Sequence, residues 1–229
     1  MIPLKDSTRS GTIPFVNLLL IGINIAVFIY QLSLSNQELN QFIFNYGVIP
    51  SQLPLWSIPF HLLTNPMALF PLVSATFMHG SLFHIGGNML YLWVFGDNVE
   101  DRLRHFRYLL FYFLVAFIGH FAHIFTNPGS NIPTIGASGA VAGVLGAYFL
   151  AFPKAKILAL IPLGIFLTVT TVPAVLFLFL WFILQLINGI IGGVGAVQTV
   201  AWWAHIGGFI GGAVLYKIFK KRSYREIRY

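Results

Sequence analysis

A series of long apolar segments, separated by short charged stretches, constrains this chain more than any other feature. A helix needs about 20 mostly apolar residues to cross the ~30 Å hydrocarbon core of a bilayer. Six segments approach or reach that length: Pro14–Leu32, Ser81–Asp97, Leu103–Phe125, Ser138–Phe152, Val172–Ile190 and Thr199–Phe219. Only 8% of the residues are charged, against about 25% in soluble proteins. We therefore predict an all-α polytopic membrane protein, a bundle of six transmembrane helices forming a single domain over residues 1–229.

The positive charges are distributed on one side of the predicted bundle. All 13 Lys and Arg residues fall in the N-terminal tail, the second loop, the fourth loop or the C-terminal region: Lys5, Arg9, Arg102, Arg104, Arg107, Lys154, Lys156, Lys217, Lys220, Lys221, Arg222, Arg225 and Arg228. With six spans these regions share one side, which the positive-inside rule predicts to be cytoplasmic. The tails, about residues 1–13 and 220–229, are therefore expected in the cytoplasm. This topology explains the net charge of +7 without a nucleic-acid partner.

Two further segments have a distinctive composition. The first loop, Ser33–Gly80, lacks Lys and Arg and is rich in Pro, Phe, Trp and Leu, so we expect it to be partly embedded at the outer leaflet. The stretch Ile157–Thr171 is apolar but interrupted by Pro162 and Gly164. It is expected either to lie at the membrane interface or to lengthen the fifth helix. A seven-span count would place the C-terminal basic cluster outside, against the charge rule.

Polar residues inside the predicted spans mark candidate sites, because polar side chains are costly in lipid. In the second span, Ser81 is a plausible N-cap, and His84 and Asn88 are four residues apart on one helix face. These two side chains either belong to a functional site or join neighbouring helices by hydrogen bonds. His120 and His123 in the third span are interpreted as structural or interfacial residues. His61, His79 and His105 are interpreted as loop or boundary residues with no evident partner.

The fourth span begins with Gly136-Ala137-Ser138-Gly139 and continues with small residues. Gly139 and Gly143 have GxxxG spacing, which is typical of close helix packing. However, only about 16 residues lie between Ser138 and the Pro153-Lys154 break, which gives a helix of about 24 Å, shorter than the hydrocarbon core. If Lys154 and Lys156 anchor its cytoplasmic end, Ser138 lies inside the membrane at a helix N-terminus.

The sixth span carries His205 next to small residues. Gly207/Gly211 and Gly208/Gly212 are two GxxxG pairs, so this helix can approach another small-faced helix closely. The fourth span is the candidate neighbour. A lone histidine in this position is either a packed, hydrogen-bonded residue or part of a site.

The predicted topology brings these signals together. His84, Ser138 and His205 all lie in the first two turns of helices that begin on the outer side, about 10 Å or less below its boundary. Serine needs an adjacent base to act as a nucleophile, and His205 is the base on the facing helix. The Ser138 N–H, the Asn88 amide and a His84 N–H are expected to stabilise the oxyanion of peptide hydrolysis. Glu38 is the only acidic residue outside the cytoplasmic side, so we predict a Ser–His dyad rather than a triad.

These segments resemble the rhomboid family of intramembrane serine proteases. The matching motifs are HGSLFHIGGN (His79–Asn88), GDNVE (Gly96–Glu100), GASG (Gly136–Gly139) and AHIGG (Ala204–Gly208), in the family's order along essentially the whole chain. The resemblance implies that Ser138 and His205 are catalytic and that His84 and Asn88 hold the oxyanion.

The resemblance also implies a substrate class and a location. The substrates would be transmembrane proteins, cut at a small residue near the outer end of a loosened helix, which enter as the fifth helix flexes. No metal, cofactor or obligate protein partner is expected, and the surrounding partner is membrane lipid. A compact six-span form of this kind is expected in a prokaryotic plasma or inner membrane.

Two positions depart from the family pattern. Some relatives place an aromatic residue one turn after the nucleophile, against the histidine, where this chain has Ala142. Trp202 or Trp203 would then have to pack against the histidine ring. Many relatives also have a Trp-Arg pair in the first loop, whereas here Trp56 is followed by Ser57.

Two functions compete with proteolysis. A transporter or channel would use intramembrane His and Asn to pass protons or a solute, but the spans show no pair of similarly broken halves. A catalytically inactive relative would bind membrane clients without cutting them, but the presence of both Ser138 and His205 argues against this function. A metalloprotease is disfavoured because the chain has no HExxH motif.

Overall fold

A computed structural model describes residues 1–163, 166–191 and 200–220, and every structural statement below concerns those residues. The ten α-helices in that part of the chain are α1 (Phe15–Ser33), α2 (Asn36–Tyr46), α3 (Ile58–Thr64), α4 (Pro71–Ser74), α5 (Leu82–Tyr91), α6 (Asp97–Leu103), α7 (His105–Thr126), α8 (Ser138–Ala151), α9 (Ala174–Ile191) and α10 (Trp202–Phe219). The three strands are β1 (Ile2–Asp6), β2 (Lys156–Leu163) and β3 (Phe166–Pro173). Four 3₁₀ turns lie in the first loop: Pro50–Gln52, Leu55–Ser57, Pro66–Leu69 and Ala75–Phe77.

The helices follow the order predicted from the sequence, and the helical membrane-protein fold is confirmed. The second predicted span consists of α5 and α6, which a π-helical segment, Leu92–Gly96, joins into one run. By length and hydropathy alone, α1, α7 and α9 qualify as spans among the described helices, and α8 is apolar but has only 14 residues. The predicted start of the sixth span at Thr199 and most of the C-terminal tail lie outside the described residues.

The first loop is folded rather than extended. Ser35 and Glu38 form a capping box that begins α2, because the Ser35 hydroxyl accepts from the Glu38 N–H and Glu38 accepts in return. Beyond α2, the short helical turns leave large apolar side chains exposed, including Trp56 at 82% and Leu63 at 87%. Exposed apolar area of this kind is what an embedded loop presents to lipid, although embedding stays a prediction.

The sequence did not predict the three-stranded antiparallel sheet. The described part of the stretch Ile157–Thr171 does not lengthen the fifth helix, so that alternative was wrong, and its location at the membrane interface stays a prediction. Instead β2 and β3 form a hairpin, and β1 at the N-terminus pairs with β2, with Ile2 opposite Leu160. The consecutive β-branched residues 168–172 of β3 favour a strand, but β1, the other partner of β2, lies about 150 residues away in sequence.

Helix α10 packs between α7 and α8 through its glycines. A Cβ added to Gly208 would lie 2.1 Å from the carbonyl oxygen of Gly139, and one added to Gly212 would lie 2.0 Å from that of Gly143. These contacts confirm the predicted approach of the sixth span to the fourth. The other pair faces α7, where a Cβ on Gly207 would lie 2.4 Å from the Ala122 side chain. The two glycine pairs therefore serve two different neighbours.

At the opposite end of the bundle, a buried carboxylate joins three helices. Glu100 on α6 has no exposed surface and accepts hydrogen bonds from the N–H groups of Val16 (3.0 Å) and Asn17 (2.7 Å) at the start of α1. It also bonds to the ring of His105 at the start of α7. A carboxylate at a helix N-terminus satisfies N–H groups that the helix leaves unpaired. His105, for which the sequence indicated no partner, therefore belongs to this junction.

Candidate active site

All four residues predicted to carry the chemistry line one cavity. Ser138, His205, His84 and Asn88 come from three helices and face a common space of about 1000 Å³. Each of these helices begins at this end of the bundle, as the topology predicted. The cavity is concave and mostly apolar with a few convergent polar groups, which is the usual character of a small-molecule or active site.

Ser138 is the first residue of α8 and follows a glycine that no other residue could replace. Gly136 has φ +127°, and its N–H donates to the carbonyl of Ala75 at 2.8 Å. A Cβ there would lie 2.7 Å from the His84 ring and 3.7 Å from Ser138 Oγ. The turn before α8 therefore brings the serine and the His84 ring to either side of a position that only glycine can occupy.

The serine offers both a free hydroxyl and free backbone donors. Ser138 Oγ has no hydrogen-bond partner among the described residues, the His205 ring included, and it borders the cavity. Catalytic hydrogen bonds are often long before substrate binds. Because Ser138 opens the helix and the preceding Ala137 provides no side-chain cap, its N–H is one of the unpaired donors of the first turn.

His84 makes a weak hydrogen bond that favours one of its two tautomers. Ser81 caps α5 by accepting from the His84 N–H, as predicted, and the Gly80 N–H approaches His84 Nδ1 at 3.5 Å. A nitrogen that accepts is unprotonated, so in a neutral ring Nε2 carries the hydrogen. Nε2 is also the ring nitrogen next to Gly136, which makes it a donor on the Ser138 side of the cavity.

Asn88 is held by a histidine that the sequence did not implicate. Its Nδ2 is 2.9 Å from His79 Nε2, and the His79 ring packs edge-on against His84 with centroids 4.9 Å apart. Burial, with a smaller contribution from His84, lowers the pKa of His79 to about 3, so its ring is neutral. The Gln31 side chain on α1 accepts a hydrogen bond from the His79 N–H and donates one to the His79 carbonyl. The interpretation of His79 as a residue with no evident partner was therefore wrong. The second amide proton of Asn88 is not used in this contact and can donate into the cavity.

His205 lies in the first turn of α10 with aromatic rings on two sides. Trp202 packs edge-on against the His205 ring, with 5.9 Å between centroids. This agrees with the prediction that Trp202 or Trp203 packs against the histidine because Ala142 provides no aromatic ring. Trp181 on α9 lies 6.1 Å away at 31° and was not predicted. His205 Nδ1 also lies 2.8 Å from Oε1 of Gln185 on α9. The only sequence signal for Gln185 was its polarity within an apolar span.

The two histidines of α7 contact neighbouring polar groups, and one of them borders the cavity. His120 on α7 contacts the Thr76 hydroxyl at 3.4 Å, and His123 contacts Asn127 at 3.3 Å and borders the cavity. The described residues contain no group of three His, Asp or Glu side chains that could hold a metal ion. The imidazole, amide and hydroxyl groups facing the cavity can transfer protons and form hydrogen bonds.

Comparison with known proteins agrees with the motif order. Rhomboid protein 1, mitochondrial, of Saccharomyces cerevisiae is 34% identical over 91 residues, which cover 38% of this chain and 26% of that protein. Presenilin-associated rhomboid-like protein, mitochondrial, of Homo sapiens is 34% identical over 98 residues, covering 42% and 26%. Rhomboid-like protein 11, chloroplastic, of Arabidopsis thaliana is 29% identical over 167 residues, covering 70% and 56%. The aligned parts thus span about a quarter to about half of these relatives.

The family match covers a share of this chain similar to that of the longest of these alignments. The Rhomboid domain family matches residues 60–222, which include all four cavity residues and helices α5 to α10. The match begins within the first loop, so it covers the motifs on which the resemblance was based. The chain belongs to the rhomboid family.

Proposed function

We propose that this protein is an intramembrane serine endopeptidase in which Ser138 is the nucleophile and His205 the general base. The observation that carries the proposal is the shared cavity, in which a serine hydroxyl with no partner among the described residues, an imidazole and two further side-chain donors converge. Family membership supports the same class of function. A single transmembrane domain over residues 1–229 would hold the whole site.

The proposed reaction follows serine acyl transfer. His205 Nε2 takes the proton of Ser138 Oγ as the oxygen attacks the substrate carbonyl carbon, and a tetrahedral oxyanion forms. The Ser138 N–H, His84 Nε2–H and the free Asn88 amide proton donate to that oxyanion. His205 then protonates the leaving amine as the C–N bond breaks, which leaves an acyl-enzyme. A water molecule, deprotonated by His205, then attacks the ester carbonyl. The ester C–O bond breaks, His205 returns the proton to Ser138 Oγ, and the carboxylic acid product leaves.

The position of the cavity supports membrane-protein substrates. Its polar residues lie at the ends of apolar helices, where a peptide bond from a neighbouring transmembrane segment can reach a serine. The charge distribution supports cytoplasmic termini and a multi-pass protein in the plasma or inner membrane. The names of the relatives place them in mitochondria and chloroplasts, so location is tested separately, by tagging each terminus and probing its accessibility.

The proposal is tested by cleavage in detergent. Purified protein is incubated with a tagged single-span substrate that has helix-breaking residues near its outer end. The wild type is compared with Ser138→Ala, His205→Ala and Ser33→Ala, a control at an exposed serine at the end of α1. We expect cleavage by the wild type and the control, with and without EDTA, and none by the other two variants.

Two outcomes would contradict proteolysis and identify a rival. If no variant cuts any of several substrates but each crosslinks to them, the protein is a client-binding relative. If no cleavage occurs and the purified protein carries protons or solutes across liposome membranes, with nearly the same flux in Ser138→Ala, the protein is a transporter or channel.

A further inference from the structure

Gln185 on α9 is buried and hydrogen-bonded within the bundle rather than facing lipid. Its side chain is 8% exposed, and its Oε1 lies 2.8 Å from His205 Nδ1. Polar groups inside a membrane bundle are costly unless they are paired, and those that persist usually serve a function. The partner of this amide is the imidazole of the proposed dyad.

A second hydrogen bond fixes the orientation of the Gln185 amide. Its Nε2 donates to the backbone carbonyl of Trp181, one turn earlier on α9, at 3.2 Å. Since a carbonyl oxygen can only accept, the amide nitrogen must face Trp181 and Oε1 must face His205. Oε1 also only accepts. The proton in the contact between Gln185 and His205 therefore belongs to His205 Nδ1.

This proton determines what His205 can do. A neutral imidazole carries one hydrogen, so a proton on Nδ1 leaves the lone pair of Nε2 free. That lone pair is what must receive the Ser138 proton in the proposed reaction. In the opposite tautomer Nε2 would carry the hydrogen and could not act as a base. Trp181 and Trp202, packed against two sides of the ring, further restrict its rotation.

We infer that Gln185 is the positioning residue of His205, which it holds in the Nδ1–H tautomer through an amide rather than a carboxylate. This inference rests on the proposed function and adds a third member to the predicted dyad. In a Ser-His-Asp triad the carboxylate sets the tautomer and also stabilises the imidazolium by its charge. Gln185 provides the first of these effects without a buried charge, whose desolvation would be expensive in this setting.

Three variants on α9 separate positioning from packing. Gln185→Leu keeps the approximate size and removes the acceptor, whereas Gln185→Glu keeps an acceptor oxygen. The control is Asn188→Leu: Asn188 lies on the same helix, is partly exposed, and makes the same bond to its own helix, from Nδ2 to the Leu184 carbonyl at 2.8 Å. No hydrogen bond joins it to His205 in the described part of the chain.

Kinetics and spectroscopy both measure the effect. For Gln185→Leu we expect kcat to fall about 10- to 100-fold, the usual effect of losing a partner that orients a histidine, with KM little changed. Gln185→Glu should recover much of kcat, and Asn188→Leu should match the wild type. In ¹⁵N-histidine-labelled protein, with the His205 signals assigned by their loss in His205→Ala, we expect Nδ1–H in the wild type and Nε2–H or a mixture in Gln185→Leu.

The results distinguish failure of this inference from failure of the proposed function. The inference is overturned if wild-type His205 carries its proton on Nε2, or if Gln185→Leu matches Asn188→Leu in both kcat and ¹⁵N pattern. The proposed function fails if Ser138→Ala cuts as well as the wild type, whatever the tautomer. If Gln185→Leu does not fold, the wild-type ¹⁵N pattern and the kcat of Gln185→Glu decide.

Discussion

A close contact between α8 and α10 predicts that a single methyl group will disturb both the fold and the site. Gly208 on α10 faces the first turn of α8, where an added Cβ would lie 2.1 Å from the carbonyl oxygen of Gly139, 3.0 Å from its carbonyl carbon and 3.3 Å from the Ala142 side chain. The first two atoms belong to the backbone and cannot rotate away. Gly208→Ala therefore has to move one helix relative to the other.

The size of the movement follows from these distances. Non-bonded heavy atoms ordinarily approach to about 3.5 Å, so the contact must lengthen by about 1.4 Å, the difference between 3.5 and 2.1. Overpacking of this kind costs about 1–3 kcal/mol of stability. His205 and Ser138 lie on the two helices that must separate. A misplacement of about 1 Å in a catalytic pair can lower the rate about 100-fold.

Thermal unfolding in detergent and substrate cleavage would measure the two consequences. Gly22→Ala on α1 is the matched control, because Gly22 is exposed and a Cβ there would meet nothing within 4 Å. We expect Gly208→Ala to have a lower Tm and a lower kcat, and Gly22→Ala to resemble the wild type. If Gly208→Ala is as stable and as active as Gly22→Ala, the close α8–α10 contact is not what aligns the site.

Three further perturbations have distinct expected outcomes. Gly136→Ala should nearly abolish cleavage, because a φ of +127° costs a side chain about 1–3 kcal/mol and the methyl group would collide with the His84 ring; wild-type kcat would contradict this. Asn88→Ala should lower kcat by about 10²–10³, as loss of an oxyanion donor does, and an unchanged kcat with a raised KM would assign Asn88 to substrate binding instead. Glu100→Ala should lower the free energy of unfolding by about 1–2 kcal/mol, because α1 loses the carboxylate that caps its N-terminus. Thermal unfolding would measure this effect against Glu100→Gln, which keeps one acceptor. Equal stability of Glu100→Ala and the wild type would show that water replaces the carboxylate.

Local composition was enough to predict the long apolar helices. Apolar runs of about 20 residues identified α1, α7 and α9 within one or two residues at their ends. The short length of the fourth span also followed from sequence, because the distance from Ser138 to the next break is a property of the chain. These features depend on neighbours in sequence, so they required no knowledge of the fold.

The sequence also predicted which residues share the cavity, for a topological reason. Three helices that begin on the same side of a membrane carry their first turns to one depth, so Ser138, His84 and His205 had to lie at a common level. Gly208 and Gly212 identified which helices approach. Sequence thereby gave the members of the candidate site, together with Asn88 one turn below His84.

The tertiary structure alone decided which atoms meet. The pairing of β1 with β2 joins residues about 150 positions apart, and the apolar pattern of β2 did not distinguish a strand from the end of a helix. His79 acquired its role from Asn88, and Gln185 from His205, through contacts between different helices. Hydrogen-bond geometry is set by helix rotation and separation, which arise from packing of the whole bundle rather than from any one segment. Composition and topology therefore place polar groups in a membrane, whereas side-chain packing assigns their protons and partners.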